Sequence, residues 1–220
     1  MTPFRIIWQS LKTLYEQLFQ LFLIGFITLL ALLLILPAPI ALGGLWGVAH
    51  RAVAGHGGDW SEYWEALKRY GSRNWLNSLV VAVVYGLLAL NLRFYNTPGI
   101  TPISADIALV ATVFWIGVTL FWTGVVFYWL SFQAEMLEPQ FWLSLRNSLL
   151  LTLARPLQTL VFLAAITLVA LLCVILPPLV LLLPGFVAVL SITALRELVQ
   201  PLIKAREQAN KETPNNTVSG

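Results

Sequence analysis

"IALGGLWGVAHRAV", residues 40–53, decides how this chain is threaded, because the stretch is apolar but short. A helix needs about 20 apolar residues to cross the ~30 Å hydrocarbon layer of a bilayer. This stretch is shorter than that and carries the polar pair His50 and Arg51 close to its end. The side of a membrane on which all later residues lie depends on whether it crosses.

The composition of the whole chain is that of a membrane protein. Hydrophobic residues make up 59% of 220 positions and charged residues 10%, which leaves less polar surface than a water-soluble globule needs. We expect an all-α protein, a polytopic transmembrane helical bundle with the lipid bilayer as its partner, over residues 1–205. A disordered polar tail is expected over 206–220. The net charge of +3 does not indicate a nucleic-acid partner, since Lys and Arg of membrane proteins collect on one side for topological reasons.

Six apolar segments are predicted as spans. Four are long enough to cross without help, one contains Pro184 and Gly185 near its start, and one is the short stretch quoted above. In chain order the predicted spans are residues 16–36, 40–53, 74–95, 107–133, 156–176 and 179–197.

The distribution of charge favours a crossing by residues 40–53. With six spans both termini share a side, and that side holds every Lys and Arg except Arg93. Without this crossing, the basic clusters at 51–73 and 146–155 would lie across the membrane from the N-terminus. Because Lys and Arg concentrate in the cytoplasm, we expect six spans and cytoplasmic termini, with Arg51 reaching the interface along its aliphatic stem.

Two pairs of segments suggest a weak internal repeat. "LILPAPIAL" (34–42) and "VILPPLVLL" (174–182) each place two prolines between apolar runs, where they break a helix at a turn. "YWEALKRY" (63–70) and "FWLSLRNS" (141–148) each precede a predicted span. The offsets between the pairs differ, so the repeat is weak.

Residues 59–72 are predicted to form an amphipathic helix along the cytoplasmic interface. Asp59 and Glu62 match a capping box. One face carries apolar and aromatic side chains at helical spacing: Trp60, Tyr63, Trp64 and Leu67. This face either docks a partner or anionic lipid, or simply orients the next span within the interfacial belt.

Aromatic pairs recur every seven residues in "VFWIGVTLFWTGVVFYWL" (113–130). The pairs are Phe114 and Trp115, Phe121 and Trp122, and Tyr128 and Trp129. Seven residues are almost two helical turns, so the rings form a stripe with steps of about 10 Å. The stripe, here called the aromatic ladder, is either packing against the bundle and lipid or a contact strip for a partner helix or an elongated apolar ligand. Trp122 falls near the midplane, where its indole N–H needs a partner.

Glycines accompany two of the predicted helices. Gly117 and Gly124 repeat at the interval of the ladder and suggest a groove beside it. Gly43 and Gly47 form a small-xxx-small pair that lets another helix approach closely. Both pairs are predicted to serve helix packing.

Catalytic and cofactor chemistry is not expected. The predicted spans carry no ionisable residue at mid-membrane, which weighs against proton-coupled transport. His50 and His56 do not have the spacing of metal ligands on one helix face, and Cys173 has no intramolecular partner. We therefore predict no enzyme activity, no metal and no cofactor.

The segment "LPAPIALGGLWGVAHRAVAGHGGDWSEYWEALKRYGSRNWLNSL" (36–79) resembles the YesL-like family, small bacterial integral membrane proteins classed as a domain of unknown function. The similarity is one of layout: an apolar first span, a proline turn into a glycine-bearing helix, an aromatic and basic stretch, then further spans. The resemblance implies the bacterial cytoplasmic membrane and an accessory role beside a transporter complex. It implies no reaction, cofactor or site residue.

The resulting functional prediction is a non-enzymatic integral membrane protein that packs against another membrane protein or an apolar ligand. Its contact surfaces are expected to be the aromatic ladder and the face of Trp60, Tyr63 and Trp64. The alternative is a permease or channel for a small neutral solute, built from the two loosely repeated hairpins.

Overall fold

The computed structural model describes residues 2–34, 36–56, 60–97, 104–136 and 140–212, and throughout these ranges its regular structure is helical. In chain order the helices are α1 (Pro3–Glu16), α2 (Leu18–Leu33), α3 (Ala38–Val53), α4 (Trp60–Asn96), α5 (Ala105–Glu135), α6 (Phe141–Ala154), α7 (Pro156–Ile175) and α8 (Leu183–Glu212). A short 3₁₀ helix, Pro177–Leu181, connects α7 and α8.

Within the described part of the chain, four helical segments are long and apolar enough to cross a membrane. They are Asn74–Asn96, Asp106–Glu135, Pro156–Ile175 and Leu183–Gln200. A fifth candidate arises if α1 and α2, which meet at 91°, together count as one broken span. The all-helical, membrane-type class is therefore confirmed, with four or five candidate spans. The short stretch 40–53 is helical, but α3 is not among these candidates.

The N-terminal helix α1 was not predicted. The first span was expected to begin at residue 16, whereas α1 ends there and α2 starts at Leu18. Pro3 lies in the first turn of α1, where its missing N–H costs nothing. Ile6, Ser10 and Leu14 are buried at intervals of four residues, so tertiary packing holds this helix in place.

Helices α3 and α8 form the centre of the bundle. The small residues Ala41, Gly43, Gly44, Ala49 and Ala52 of α3 are all buried, and α8 is buried almost continuously from Phe186 to Leu195. Helix α3 packs against α2, α4, α5 and α8. Its apolar composition therefore serves burial within the protein as well as any contact with lipid.

Helix α4 joins two segments that were predicted separately. The expected interfacial helix, 59–72, and the expected third span, 74–95, lie in one continuous helix that begins at Trp60. Asp59, the predicted cap, lies outside the described residues. Residues 60–72 contain no proline, so local sequence does not force a break.

The start of the fifth predicted span, residue 156, agrees with the structure, whereas the end of the last helix differs from the prediction. Arg155 leaves the helical conformation, with φ −135° and ψ 54°, and separates α6 from α7. Pro156 follows as the first residue of α7, which is a favoured position for proline. Helix α8 continues to Glu212, past the start of the tail expected at 206. Residues 213–220 lie outside the described part of the chain.

Helices α4 and α5 pair as an antiparallel hairpin held by polar side chains. Asn96 donates to Thr112 Oγ1 (3.0 Å), and Tyr85 and Thr123 share a hydrogen bond of 2.9 Å. Near the base of the hairpin, Asn77 donates to Gln133 Oε1 (2.7 Å). Side-chain hydrogen bonds of this kind stabilise helix pairs in membranes by typically under 1 kcal/mol each.

Candidate functional site

The aromatic ladder runs from the surface into the core of the bundle. Phe114 is 62% exposed, whereas Tyr128 and Trp129 are buried almost completely. Trp115, Phe121 and Trp122 have intermediate exposure. The ladder thus has an outer part that faces the surroundings of the protein and an inner part that belongs to its core.

The inner rings are fixed by polar contacts to neighbouring helices. Trp129 donates its indole N–H to Ser144 Oγ of α6 (3.0 Å). The Tyr128 hydroxyl lies 3.3 Å from Thr159 Oγ1 of α7. These bonds satisfy the polar ends of buried rings, so this part of the ladder is packing.

Trp122 is the ring at which the two parts meet. It stands edge-on to Trp129, with 6.4 Å between ring centroids. Its indole nitrogen is buried, and the described residues provide no hydrogen-bond partner for it. A buried donor without a partner is costly in an apolar environment, and the sequence had identified Trp122 for this reason.

The two glycines of α5 have opposite surroundings. A Cβ atom added at Gly124 would lie 2.7 Å from Thr159 Cγ2 and 3.0 Å from Thr152 Cγ2, whereas one added at Gly117 would meet nothing within 4 Å. Gly117 instead lies in a groove of about 280 Å³ that Phe121, Leu120 and residues of α6 and α7 also line. Gly124 thus lies at a closed helix contact, and Gly117 beside an open groove.

The predicted aromatic face at the start of α4 is divided in the same way. Tyr63 is 2% exposed, and its ring fills the space above Gly44 of α3, where an added Cβ would lie 2.6 Å from Cε2. Burial raises the pKa of the Tyr63 hydroxyl, and a hydrogen bond with Thr28 partly opposes this rise. Trp60 and Trp64 remain about half exposed, so they alone of the three can meet a partner.

The second predicted glycine pair lies on α3. Gly43 is buried and lines a small pocket with Trp46 and Asn74. Gly47 is partly exposed and lines a polar cleft at the other end of the helix. Both therefore lie where α3 approaches α4 and α5.

Charged side chains converge where α3 and α5 end, beside Arg196 in the middle of α8, and the sequence analysis did not predict this cluster. Glu135 Oε2 lies 3.4 Å from His50 Nε2, and its other carboxylate oxygen accepts a hydrogen bond from Arg196 Nε. Arg196 also donates to the His50 carbonyl (3.3 Å). The sequence had placed each of these residues at the cytoplasmic end of a predicted span. Their common depth in the membrane was the one feature of the sequence that could have indicated that they lie close together.

A second ion pair lies beside this cluster. Arg51 Nη1 is 2.8 Å from Glu62 Oε1 and so ties the end of α3 to the start of α4. A polar cleft of about 280 Å³ lies between the two pairs, and its lining includes His50, Arg51, Glu62 and Glu135. Among the described residues, no group of three or more His, Cys, Asp or Glu side chains is placed to hold a metal ion. These ion pairs connect the ends of α3 and α5 to the start of α4 and to the middle of α8.

Buried hydroxyl and amide groups bond to one another across the bundle. Trp46 donates to both Ser131 and Ser191, at 3.2 Å each, and Ser131 donates to Ser191 (2.7 Å). A second set links the Pro39 carbonyl to Asn74, Asn77 and Gln133, and continues to Ser144. Groups engaged in this way join helices, and they are poorly suited to solvate a passing solute.

Comparison with known proteins gives no identification. No protein-family model matches the chain, no curated protein matches it, and no solved structure matches its fold.

Proposed function

We propose that this chain is a non-enzymatic integral membrane protein that acts by packing against another membrane protein through the outer α5 surface, defined as Phe114, Trp115, Gly117 and Phe121. The observation that carries the proposal is the open groove at Gly117, walled on one side by Phe121. Exposed apolar rings alone would suit lipid. A glycine that leaves an unfilled groove beside large rings matches the small-residue surfaces through which membrane helices approach each other closely.

A paired crosslinking experiment tests the proposal. A photoreactive residue is placed at Phe114, on the outer α5 surface, and in a separate variant at Leu168 of α7, which is equally exposed at 61%. Irradiation in native membranes should yield a discrete protein adduct at 114 and none at 168. Gly117→Leu should abolish the adduct, because its side chain fills the groove.

Two results would overturn the proposal. One is capture of lipid alone at both positions. The other is an adduct at 114 that persists unchanged in the Gly117→Leu variant. The alternative function, a permease or channel for a small neutral solute, predicts net solute flux by the purified protein in liposomes. The interlocked buried polar groups do not favour that alternative.

The localisation and threading are part of the proposal. We place the chain in the bacterial cytoplasmic membrane, crossing it six times with both termini in the cytoplasm, as the basic residues suggest. The basic side chains His50, Arg51 and Arg196 lie close together, as a shared compartment requires. The hydrogen bond from Asn74 to the Pro39 carbonyl (3.1 Å), however, sets the start of α3 beside the predicted cytoplasmic end of the third span and does not favour a crossing by α3. Membership of the YesL-like family stays a prediction and would be consistent with an accessory role.

Cysteine labelling of the α2–α3 turn tests the threading. Leu36 is 72% exposed, and Leu36→Cys in a Cys173→Ala background should react with an impermeant maleimide added outside intact cells. Reaction only after permeabilisation would show that the α2–α3 turn is cytoplasmic and would overturn the six-crossing arrangement.

A further inference from the structure

The polar cleft beside the Arg51–Glu62 pair is bounded by three helices: the end of α3, the start of α4 and the end of α5. Each helix contributes one small residue to its lining, and these are Gly47, Ala66 and Ala134. Ala66 and Ala134 are almost fully buried. The small side chains leave a concavity of about 280 Å³ between packed helices.

Ionisable side chains of both signs surround this concavity. The acidic ones are Glu62, Glu65 and Glu135, and the basic ones are His50, Arg51 and Arg69. Glu62 and Glu65 are three residues apart on α4, so they lie on the same side of that helix. A small molecule in the cleft that carries a positive and a negative group would therefore meet an oppositely charged side chain for each.

The Arg51–Glu62 pair leaves binding capacity on both of its side chains. Arg51 Nη1 contacts Glu62 Oε1 (2.8 Å), whereas Glu62 Oε2 is buried and has no hydrogen-bond partner among the described residues. A buried carboxylate oxygen without a donor is costly, so an N–H group that reaches it from the cleft is favoured. The Arg51 side chain is 50% exposed, and its guanidinium has further N–H donors for an anionic group.

The contacts favour an organic zwitterion over a metal ion. In the part of the chain that the structure describes, no three His, Cys, Asp or Glu side chains converge as metal ligands. A primary ammonium group needs no fixed coordination geometry and donates up to three hydrogen bonds, and phosphate and carboxylate groups match the planar fork of arginine. The volume lies just below the range of about 300–1,000 Å³ found for drug-sized ligands, which suits a small molecule.

We propose that the cleft binds a small zwitterion, whose primary ammonium group contacts Glu62 and Glu65 and whose phosphate or carboxylate group contacts Arg51. Free solutes of this kind and the headgroup of phosphatidylethanolamine share this chemistry. None of the cleft residues belongs to the outer α5 surface, so the inference does not rest on the partner proposed for that surface.

Binding to the purified full chain in dodecylmaltoside tests the proposal. O-phosphoethanolamine is titrated by isothermal calorimetry against phosphocholine, whose three methyl groups replace the N–H donors and leave the phosphate unchanged. We expect saturable binding of phosphoethanolamine and about tenfold weaker binding of phosphocholine. In a second arm, native mass spectrometry compares retention of phosphatidylethanolamine and phosphatidylcholine added in equal amounts. A preference for the amine in the soluble pair identifies a free solute as the ligand, and a preference in the lipid pair alone identifies a headgroup.

Three Glu→Gln variants assign the binding to the cleft. Glu62→Gln should weaken binding of the preferred amine about tenfold, and Glu65→Gln several-fold, because each removes one acidic group at nearly constant size. Glu65 is exposed and lies outside the Arg51–Glu62 pair, so its variant should fold even if Glu62→Gln does not. Glu16→Gln, on the exposed surface of α1, is the matched control and should bind as the parent does.

Three outcomes would show that the proposal is wrong. The first is that neither amine binds saturably, and the second is that each amine and its trimethylated counterpart bind equally well. The third is unchanged binding by a Glu65→Gln protein whose circular dichroism and elution volume show that it is folded.

Discussion

Replacing the two glycines of α5 by alanine should change stability in opposite directions. Both sit in a helix interior, where alanine is favoured over glycine by about 1 kcal/mol. Gly117 has open space around it, so Gly117→Ala should raise the free energy of unfolding by about that amount. At Gly124 the new methyl would lie 2.7 Å from Thr159 Cγ2, and overpacking of this kind costs about 1–3 kcal/mol.

The threonine that meets the new methyl cannot simply rotate away. Thr159 is β-branched, and its hydroxyl donates to the Arg155 carbonyl (3.0 Å) while lying 3.3 Å from the Tyr128 hydroxyl. A change of its χ1 angle would break these contacts. Both variants gain the same helix propensity, so the difference between their free energies of unfolding measures the clash at Gly124 alone. We expect this difference to be about 1–3 kcal/mol.

Reversible unfolding in mixed dodecylmaltoside–SDS micelles, followed by circular dichroism, measures this difference. Thr159→Ser provides the matched control, because it removes the clashing methyl and keeps the hydroxyl. In the Thr159→Ser background, Gly124→Ala should cost at least 0.5 kcal/mol less than in the parent, as residues in direct contact couple by that much or more. Equal stability of the Gly117→Ala and Gly124→Ala proteins would refute the assigned contact between α5 and α7.

Three further substitutions probe other contacts of the bundle. Gly44→Ala should lower the free energy of unfolding by about 1–3 kcal/mol, because the added methyl meets the buried Tyr63 ring at 2.6 Å. In a Tyr63→Leu background the same change should cost less stability, and an equal cost would contradict the contact. Asn77→Leu leaves Gln133 Oε1 without its donor at 2.7 Å and should lower the free energy of unfolding by about 1–3 kcal/mol. If the effects of Asn77→Leu and Gln133→Leu add in a double-mutant cycle, the two side chains do not share this hydrogen bond. Glu135→Gln removes the carboxylate shared by His50 and Arg196, and because these side chains are partly exposed, the loss of stability should be limited to about 1 kcal/mol. This loss should shrink at high salt when unfolding is measured by chemical denaturation. A loss that does not depend on salt would contradict an ionic origin.

The sequence predicted the helical class because composition and apolar run lengths report directly on burial in lipid. Three of the candidate spans agree with the predicted segments 74–95, 107–133 and 156–176 to within a few residues. Their ends are marked by prolines, amides and charges, which change the local cost of remaining in hydrocarbon. Information of this kind is local and therefore readable along the chain.

The division of the aromatic ladder could not be predicted. Its three ring pairs look alike in sequence, since each repeats the same spacing on the same helix. The difference between exposed Phe114 and buried Trp129 comes from α6 and α7, which cover only the inner end of α5. Which part of a uniform stripe is covered is a tertiary property, so it leaves no trace in the periodicity of α5.

Helix α1 was not predicted, for a different reason. Its buried stripe contains Ser10 between Ile6 and Leu14, and its exposed side mixes rings with charges, so a simple search for one apolar face does not find it. The sequence placed an interfacial helix at 59–72, where the pattern is clearer. The structure instead joins that segment continuously to the candidate span Asn74–Asn96.

The number of crossings is constrained by charge together with structure. Arg5 and Lys12 precede α2, and the basic cluster at 51–73 begins in the last turn of α3. These two groups share a compartment only if α2 and α3 both cross or neither does. If the bent α1–α2 pair counts as a span and α3 does not, the chain crosses five times. The two basic groups then lie on opposite sides of the membrane, which contradicts the positive-inside rule. Four or six crossings keep them together. The contacts that α3 makes with α4 involve Glu62, Tyr63 and Asn74, which lie before or at the start of the candidate span Asn74–Asn96. A crossing by α3 would therefore have to carry the first turns of α4 into the membrane with it, and their charged side chains make this costly.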